Sequence, residues 1–289
     1  MRSMWWQFCF LWPALIYVLL LGVLVAFKDG MVYPGVSMYA HLKADHVVFQ
    51  QAVEKTRSTL WETGDGKYLG LKREVDDPQC RWIILYGNGD VSLRATGWFD
   101  FLQSLHPERP MSFYVLEYPG YGPQSGKTSE AAIVELAALA RAQLPDDAVP
   151  LFLLGQSMGS GVSCRLMAEQ EWNQPGRAPK GLLLLNPYTS LVDAGRQFVR
   201  RLTGPLHLLF PVSTILGERY DSEANIQNYK GKVAIVAGNE DQLTPSWMAE
   251  RLFELSSEPK KMWIQTATGH WVDTGETSKW RSLLDFLYE

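Results

Sequence analysis

Six short apolar runs, at residues 82–86, 113–118, 151–154, 182–185, 233–237 and 262–265, constrain the fold more than any other feature of this chain. Each is bounded by Gly, Pro or Asn and runs on without polar alternation, the pattern of strands covered on both faces in a mostly parallel sheet. Between them lie stretches of helical character at 92–105, 129–144, 158–171, 245–255 and 277–287. Thr244 is the expected N-cap of the fourth, with Pro245 in its first turn. Strands alternating with helices predict the α/β class, a doubly wound, mostly parallel twisted sheet with helices on both faces and ligands bound beyond the carboxyl ends of the strands. The earlier stretch 59–75 alternates and holds a Gly64-Asp65-Gly66 turn, which suits an antiparallel hairpin at one edge.

Residues 186–232 are too many for a simple strand-to-helix connection. Phe198, Leu202, Leu206, Leu208, Leu209 and Phe210 lie within them, broken by Pro and Gly, and predict a helical, lid-like insertion over the sheet.

The amino terminus poses a separate constraint. Residues 5–27 carry no charged side chain over 23 positions, and about 20 apolar residues suffice to cross a hydrocarbon core as helix. The competing reading is a cleavable signal peptide, whose apolar stretch is shorter, about 7–15 residues, and ends at small residues; positions 23–26 match such a site poorly. The expectation is an uncleaved anchor, residues 1–27, kinked at Pro13. Arg2 on one side is opposed by Lys28 and Lys43 on the other, so the charge balance determines orientation only weakly. The expected arrangement is a signal anchor with the folded domain outside the cytoplasm. Residues 28–57, with the turn signal Tyr33-Pro34-Gly35, read as a connector, and 58–289 as one domain. With 46% hydrophobic and 20% charged residues, that length can bury one substantial core.

A net charge of −4, without any Lys/Arg block, excludes the electrostatic footprint of nucleic-acid binding. Cys9, Cys80 and Cys164 have no metal-ligand spacing, and Cys80 and Cys164 read as packing residues. Neither a metal nor an organic cofactor is expected.

The chemistry centres on Gly155-Gln156-Ser157-Met158-Gly159, which joins the strand 150–154 to a helix-like stretch. The motif G-x-S-x-G is common by chance, but at a strand-to-helix turn it exposes the serine hydroxyl above a helix N-terminus, which favours developing negative charge. A serine hydroxyl needs a base, and the base needs an orienting acid. Asp241 follows the strand 233–237, and His270 follows the strand 262–265. Of the five histidines, His41 and His46 precede the sheet, His106 ends a helix and His207 lies in the insertion; His270 alone follows a late strand. Glu240 and Asp273 are the rival acids. The oxyanion donors are expected to be the backbone N–H of Met158 and that of Asn88, in the loop Gly87-Asn88-Gly89-Asp90.

Residues 122–128, Gly-Pro-Gln-Ser-Gly-Lys-Thr, imitate a phosphate-binding loop. That motif needs glycine at position 121, where this chain has Tyr121, and Pro123 removes a backbone N–H. Nucleotide hydrolysis is therefore not expected.

From about residue 58 to the end, the chain resembles the α/β-hydrolase superfamily, in particular its membrane-anchored abhydrolase-domain serine hydrolases, which act on acyl lipids or acylated proteins. Beyond the triad motifs, the resemblance rests on residues 117–122 with Ser125 and Gly126, on residues 186–191, and on residues 219–222. Two positions depart from it: Tyr86 stands where many members have the His of a His-Gly turn, and Glu117 where many have Asp. The resemblance implies a serine hydrolase acting on a small-molecule or lipid acyl ester. A serine peptidase or aminopeptidase, and a silent α/β-hydrolase-fold binding protein, are the alternatives.

Overall fold

The computed structural model describes residues 2–289, apart from the side chains of residues 2–11, Pro13 and His46. The expectations for Cys9, for a kink at Pro13 and for His46 fall outside that description. Eight strands form a single sheet: β1 (Thr59–Glu62), β2 (Tyr68–Arg73), β3 (Cys80–Leu85), β4 (Met111–Leu116), β5 (Leu151–Gln156), β6 (Gly181–Leu185), β7 (Lys232–Gly238) and β8 (Lys260–Gln265). Their order is β1-β2-β4-β3-β5-β6-β7-β8. The hairpin β1/β2 is antiparallel and β2 joins β4 antiparallel, whereas every pairing from β4 through β8 is parallel. Strands β3, β4, β5 and β6 are buried at every residue. Their uninterrupted apolar character follows from having helices on both faces.

The helices depart from the expected bounds where local chemistry competes. Residues 92–105 form two helices, Ser92–Ala95 and Gly97–Leu105, separated at Thr96. The helix after the Ser157 turn spans Met158–Leu166. Thr244 does not cap the helix Ser246–Leu255; Pro245 holds the N-cap position, because the Thr244 hydroxyl is engaged by Asp241.

The insertion forms a cap made of the amphipathic helix Leu191–Thr203, the 3-10 segment Gly204–Leu209 and the helix Val212–Leu216. Ser190 starts it as an N-cap that accepts from the Asp193 N–H at 3.0 Å. Leu202, Leu206, Leu208 and Leu209 face outward, Leu208 being 80% exposed. The short helix Ser222–Ile226 returns to the body of the fold and packs on the helix Met158–Leu166, so the cap proper is shorter than residues 186–232.

The N-terminal helix, Arg2–Val32, runs past the expected end at residue 27. Lys28 and Asp29 end the charge-free stretch, but nothing there opposes helix; the break comes before Pro34, which disfavours helical backbone at the residue preceding it. Within this helix Ala14–Val32, with a mean hydropathy of 2.1, is long and apolar enough to cross a membrane. The expected connector is itself largely helical and includes His46–Lys55, capped by Asp45, which accepts from Val48 N–H at 3.0 Å.

Candidate active site

Ser157 sits where β5 ends and the next helix begins, with φ 51° and ψ −116°. For a residue with a side chain this is sparsely populated backbone, held only where its surroundings over-determine it. Two glycines are part of that enclosure. A Cβ at Gly159 would lie 1.8 Å from the Leu85 carbonyl oxygen, and one at Gly155 would lie 2.4 Å from Ser163 Oγ. The helix must therefore press directly on the end of β3, and no larger residue permits it. The Ser157 N–H donates to Leu185 O of β6 at 2.8 Å, tying the turn to the neighbouring strand.

The sheet brings the other two predicted residues to this turn. Asp241 and His270 follow β7 and β8, at the same carboxyl end as Ser157. His270 Nε2 lies 2.9 Å from Ser157 Oγ, and His270 Nδ1 lies 2.7 Å from Asp241 Oδ2. The Asp241 side chain has no solvent exposure. It also accepts from Leu243 N–H at 2.8 Å, Thr244 N–H at 3.0 Å and the Thr244 hydroxyl at 2.8 Å. Burial works to raise its pKa, but the hydrogen bonds from His270 and Thr244 outweigh this and hold the carboxyl below its ordinary range. A carboxylate at Nδ1 requires a proton there, which leaves the Nε2 lone pair directed at the Ser157 hydroxyl.

The rival acids are placed elsewhere. Glu240 is exposed, and the Asp273 carboxylate accepts from Gly275 N–H at 2.8 Å in its own turn. Of the other histidines with described side chains, His41 is exposed. His106 pairs with Glu108, and His207 bonds the Gly204 carbonyl within the cap.

Sequence reasoning missed three residues that position this site. Asn186, fully buried at the end of β6, accepts from Gly238 N–H at 2.9 Å and donates from its amide to His270 O. It thereby links the ends of β6 and β7 to the histidine loop. Gln265 brackets that loop, donating to Asp273 O at 2.7 Å and accepting from Asp273 N–H at 2.8 Å. Thr244 was read as a helix cap and instead serves Asp241. The one available signal was that Asn186 and Gln265 are amides ending apolar strands, where a buried polar group needs partners.

The loop after β3, where an oxyanion donor was expected, is held from two sides. Asn88 O accepts from Gly35 N–H at 3.0 Å and from Tyr121 OH at 2.8 Å, and Asn88 Nδ2 donates to Val32 O at 2.9 Å. Asn88, Ser157, Met158 and His270 all line one cavity of about 410 Å³. Met158 opens its helix, so its N–H has no partner one turn earlier.

The two departures from the family pattern meet in space. Tyr86 OH donates to Glu117 Oε1 at 2.5 Å and accepts from Tyr118 N–H at 3.1 Å, while Ser92 donates to both Glu117 oxygens. A longer acid and a phenol thus stand together where a shorter acid and an imidazole are common. Glu117 is fully buried, and desolvation, only partly offset by Ser92 and Tyr86, pushes its pKa up to about 7. Lys127 of the false phosphate loop pairs with Asp29 of the N-terminal helix at 2.8 Å. Cys80 and Cys164 are buried free thiols, pushed up by burial to about 11 and about 12; both remain protonated packing groups.

Apart from Lys28, Tyr188 and Thr244, the rest of the cavity is apolar. The cap contributes Leu191, Phe198 and Ile215 among others, and the N-terminal helix contributes Leu24, Met31 and Val32. Lys28 Nζ bonds Leu216 O of the cap at 3.1 Å.

No protein-family model matches the chain. An uncharacterised protein of Mycobacterium tuberculosis is 28% identical over 222 residues, covering 74% of this chain and 72% of that protein. A lysophosphatidylserine lipase of Danio rerio is 22% identical over 234 residues, covering 75% of this chain and 60% of that protein. Among solved structures, an alpha-beta hydrolase from Vibrio vulnificus superposes with a TM-score of 0.64 at 16% identity, over 90% of this chain and 91% of that one. Strand order and elbow agree with these likenesses: the chain has the α/β-hydrolase fold and is similar in sequence to an alpha/beta hydrolase domain-containing protein of Arabidopsis thaliana, 24% identical over 92% of this chain and 89% of that protein.

Proposed function

We propose that the chain is a membrane-anchored serine hydrolase that cleaves a carboxylic ester of an acyl or lipid substrate through an acyl-enzyme. The observation that carries this is the continuous contact from Asp241 through His270 to Ser157, at 2.7 and 2.9 Å. His270 Nε2 takes the Ser157 proton as Oγ attacks the ester carbonyl. The oxyanion that forms is met by the N–H groups of Met158 and Asn88. His270 then returns the proton to the leaving alkoxide, and the acyl group stays on Ser157. Water, deprotonated by the same imidazole, releases the acid and restores the serine. Asp241 keeps Nδ1 protonated and stabilises the imidazolium.

The apolar lining of the cavity and the name of the zebrafish relative both favour a lipid or long-chain acyl ester over a peptide. The anchor is the N-terminal helix, with the hydrolase domain outside the cytoplasm. The decisive test is labelling of the full chain in detergent with a fluorophosphonate, beside Ser157→Ala. Covalent labelling of the wild type alone is expected, and its absence from folded wild-type protein would refute the hydrolase reading. A series of acyl esters set against aminopeptidase substrates then separates esterase from peptidase.

A further inference from the structure

We infer that the N-terminal helix forms one wall of the catalytic cavity and that the cap beside it is sunk into the bilayer. The substrate is then a lipid acyl ester that enters from the membrane. This rests on the serine-hydrolase reading of the same cavity.

The helix is too long to be an anchor alone. Its 31 residues, at about 1.5 Å each, span about 46 Å, whereas a hydrocarbon core is about 30 Å thick. Its last turns project beyond the core and are built into the domain. Val32 O receives the Asn88 amide at 2.9 Å, Asp29 pairs with Lys127 at 2.8 Å, and Tyr33, just past the end, bonds Glu218 and Tyr220. Leu24, Lys28, Met31 and Val32 line the cavity that holds Ser157 and His270. Cleavage after position 26 would detach Leu24 from that wall, so the geometry also opposes a removable signal peptide.

The cap follows the helix toward the membrane. Lys28 Nζ holds Leu216 O, and farther along the Tyr17 hydroxyl donates to Leu209 O. Tyr17 precedes Lys28 by eleven residues, about 16 Å along a helix, and Lys28 is the first charge after the apolar stretch. With Lys28 at the membrane surface, Leu209 lies near mid-depth of the hydrocarbon. The segment Gly204–Leu209 turns Leu206 and Leu208 outward at 58% and 80% exposure. It carries no Asp, Glu, Lys or Arg. Leu15, Leu19 and Phe27 of the helix are comparably exposed. The apolar edge of the cap at Leu206, Leu208 and Leu209, continuous with a membrane-spanning helix, has the bilayer as its partner, with Arg200 and Arg201 exposed at the end of the preceding cap helix. Trp247, in the first turn of the helix Ser246–Leu255, and Trp271, on the loop of His270, are exposed, side chains suited to the headgroup level.

Two measurements test this on the full chain in phosphatidylcholine vesicles. First, Leu208→Cys is labelled with an environment-sensitive fluorophore. Quenching by chain-attached nitroxide lipids is expected. Water-like emission, or apolar emission without lipid quenching as a protein partner or second copy would produce, overturns the inference. Second, Leu24→Trp and Met31→Trp fill the cavity from the helix side, with Val25→Trp, exposed elsewhere on the helix, as control. A fall of tenfold or more in oleoyl-ester relative to butyryl-ester hydrolysis is expected for the first two alone. Equal rates, or an equal loss on both esters with fluorophosphonate labelling retained, overturns it. Failure of wild-type labelling refutes the hydrolase reading instead, while lipid quenching still reports the depth of the cap.

Discussion

Replacing Glu117 by Gln removes a buried acid whose proton affinity differs between the folded and unfolded chain. Its ordinary pKa is 4.5, and in the fold desolvation raises it to about 7. At about 1.4 kcal/mol per tenfold change in proton affinity, that rise corresponds to about 3 kcal/mol. Below 4.5 the group is neutral in both states and costs nothing. Between 4.5 and about 7 the unfolded chain gives its proton to water while the fold keeps it, so the wild type loses stability as pH rises through this window, and the loss levels off above 7 where the fold ionises as well. About 2.5 kcal/mol of that loss falls between pH 5 and 8. Near 230 residues, about 2–4 °C accompanies each kcal/mol, so the melting temperature of the wild type should fall about 5–10 °C more over this range than that of Glu117→Gln. The amide can replace the acid because Ser92 Oγ, 2.5 Å from Oε2, is able to accept as well as donate. The assay is thermal unfolding of both proteins in detergent at pH 5, 6, 7 and 8; other titrating groups cancel in the difference. Parallel profiles would refute the reasoning.

Asp241→Asn should leave the chain folded but lower kcat for ester hydrolysis by about 10⁴, because Asn does not enforce the proton on His270 Nδ1. A loss under tenfold in single-turnover kinetics would show that another group orients the histidine. Gly159→Ala should unfold the elbow or displace Ser157, since the new methyl would lie 1.8 Å from Leu85 O. A melting temperature and fluorophosphonate rate equal to wild type would contradict that close approach.

Much of the site was legible because its chemistry is written locally. Ser157 stands between two glycines at the end of an apolar run, and Asp241 and His270 each follow another. In a parallel sheet the carboxyl ends of such runs share one edge, so chain order alone predicted their meeting. The sequence favoured Asp241 by its strand-end position but left Glu240 and Asp273 as rivals. These differ by which way each turn directs its side chain, and closure of β7 against β8 decides that. Asn186 showed only as an amide ending an apolar strand and within a stretch of resemblance; its role was not legible, because its partners at Gly238 and His270 are 52 and 84 residues away. Tyr86 and Glu117 looked like two unrelated departures until the pairing of β3 with β4 put them at 2.5 Å. The amino terminus divides most sharply. Its length without charge determined that a membrane-compatible helix would form, since hydropathy and helical propensity act residue by residue. That the same helix continues past Lys28 to wall the cavity of Ser157 was decided by the tertiary structure, because only packing brings Leu24 and Met31 against a serine more than 120 residues later in the chain.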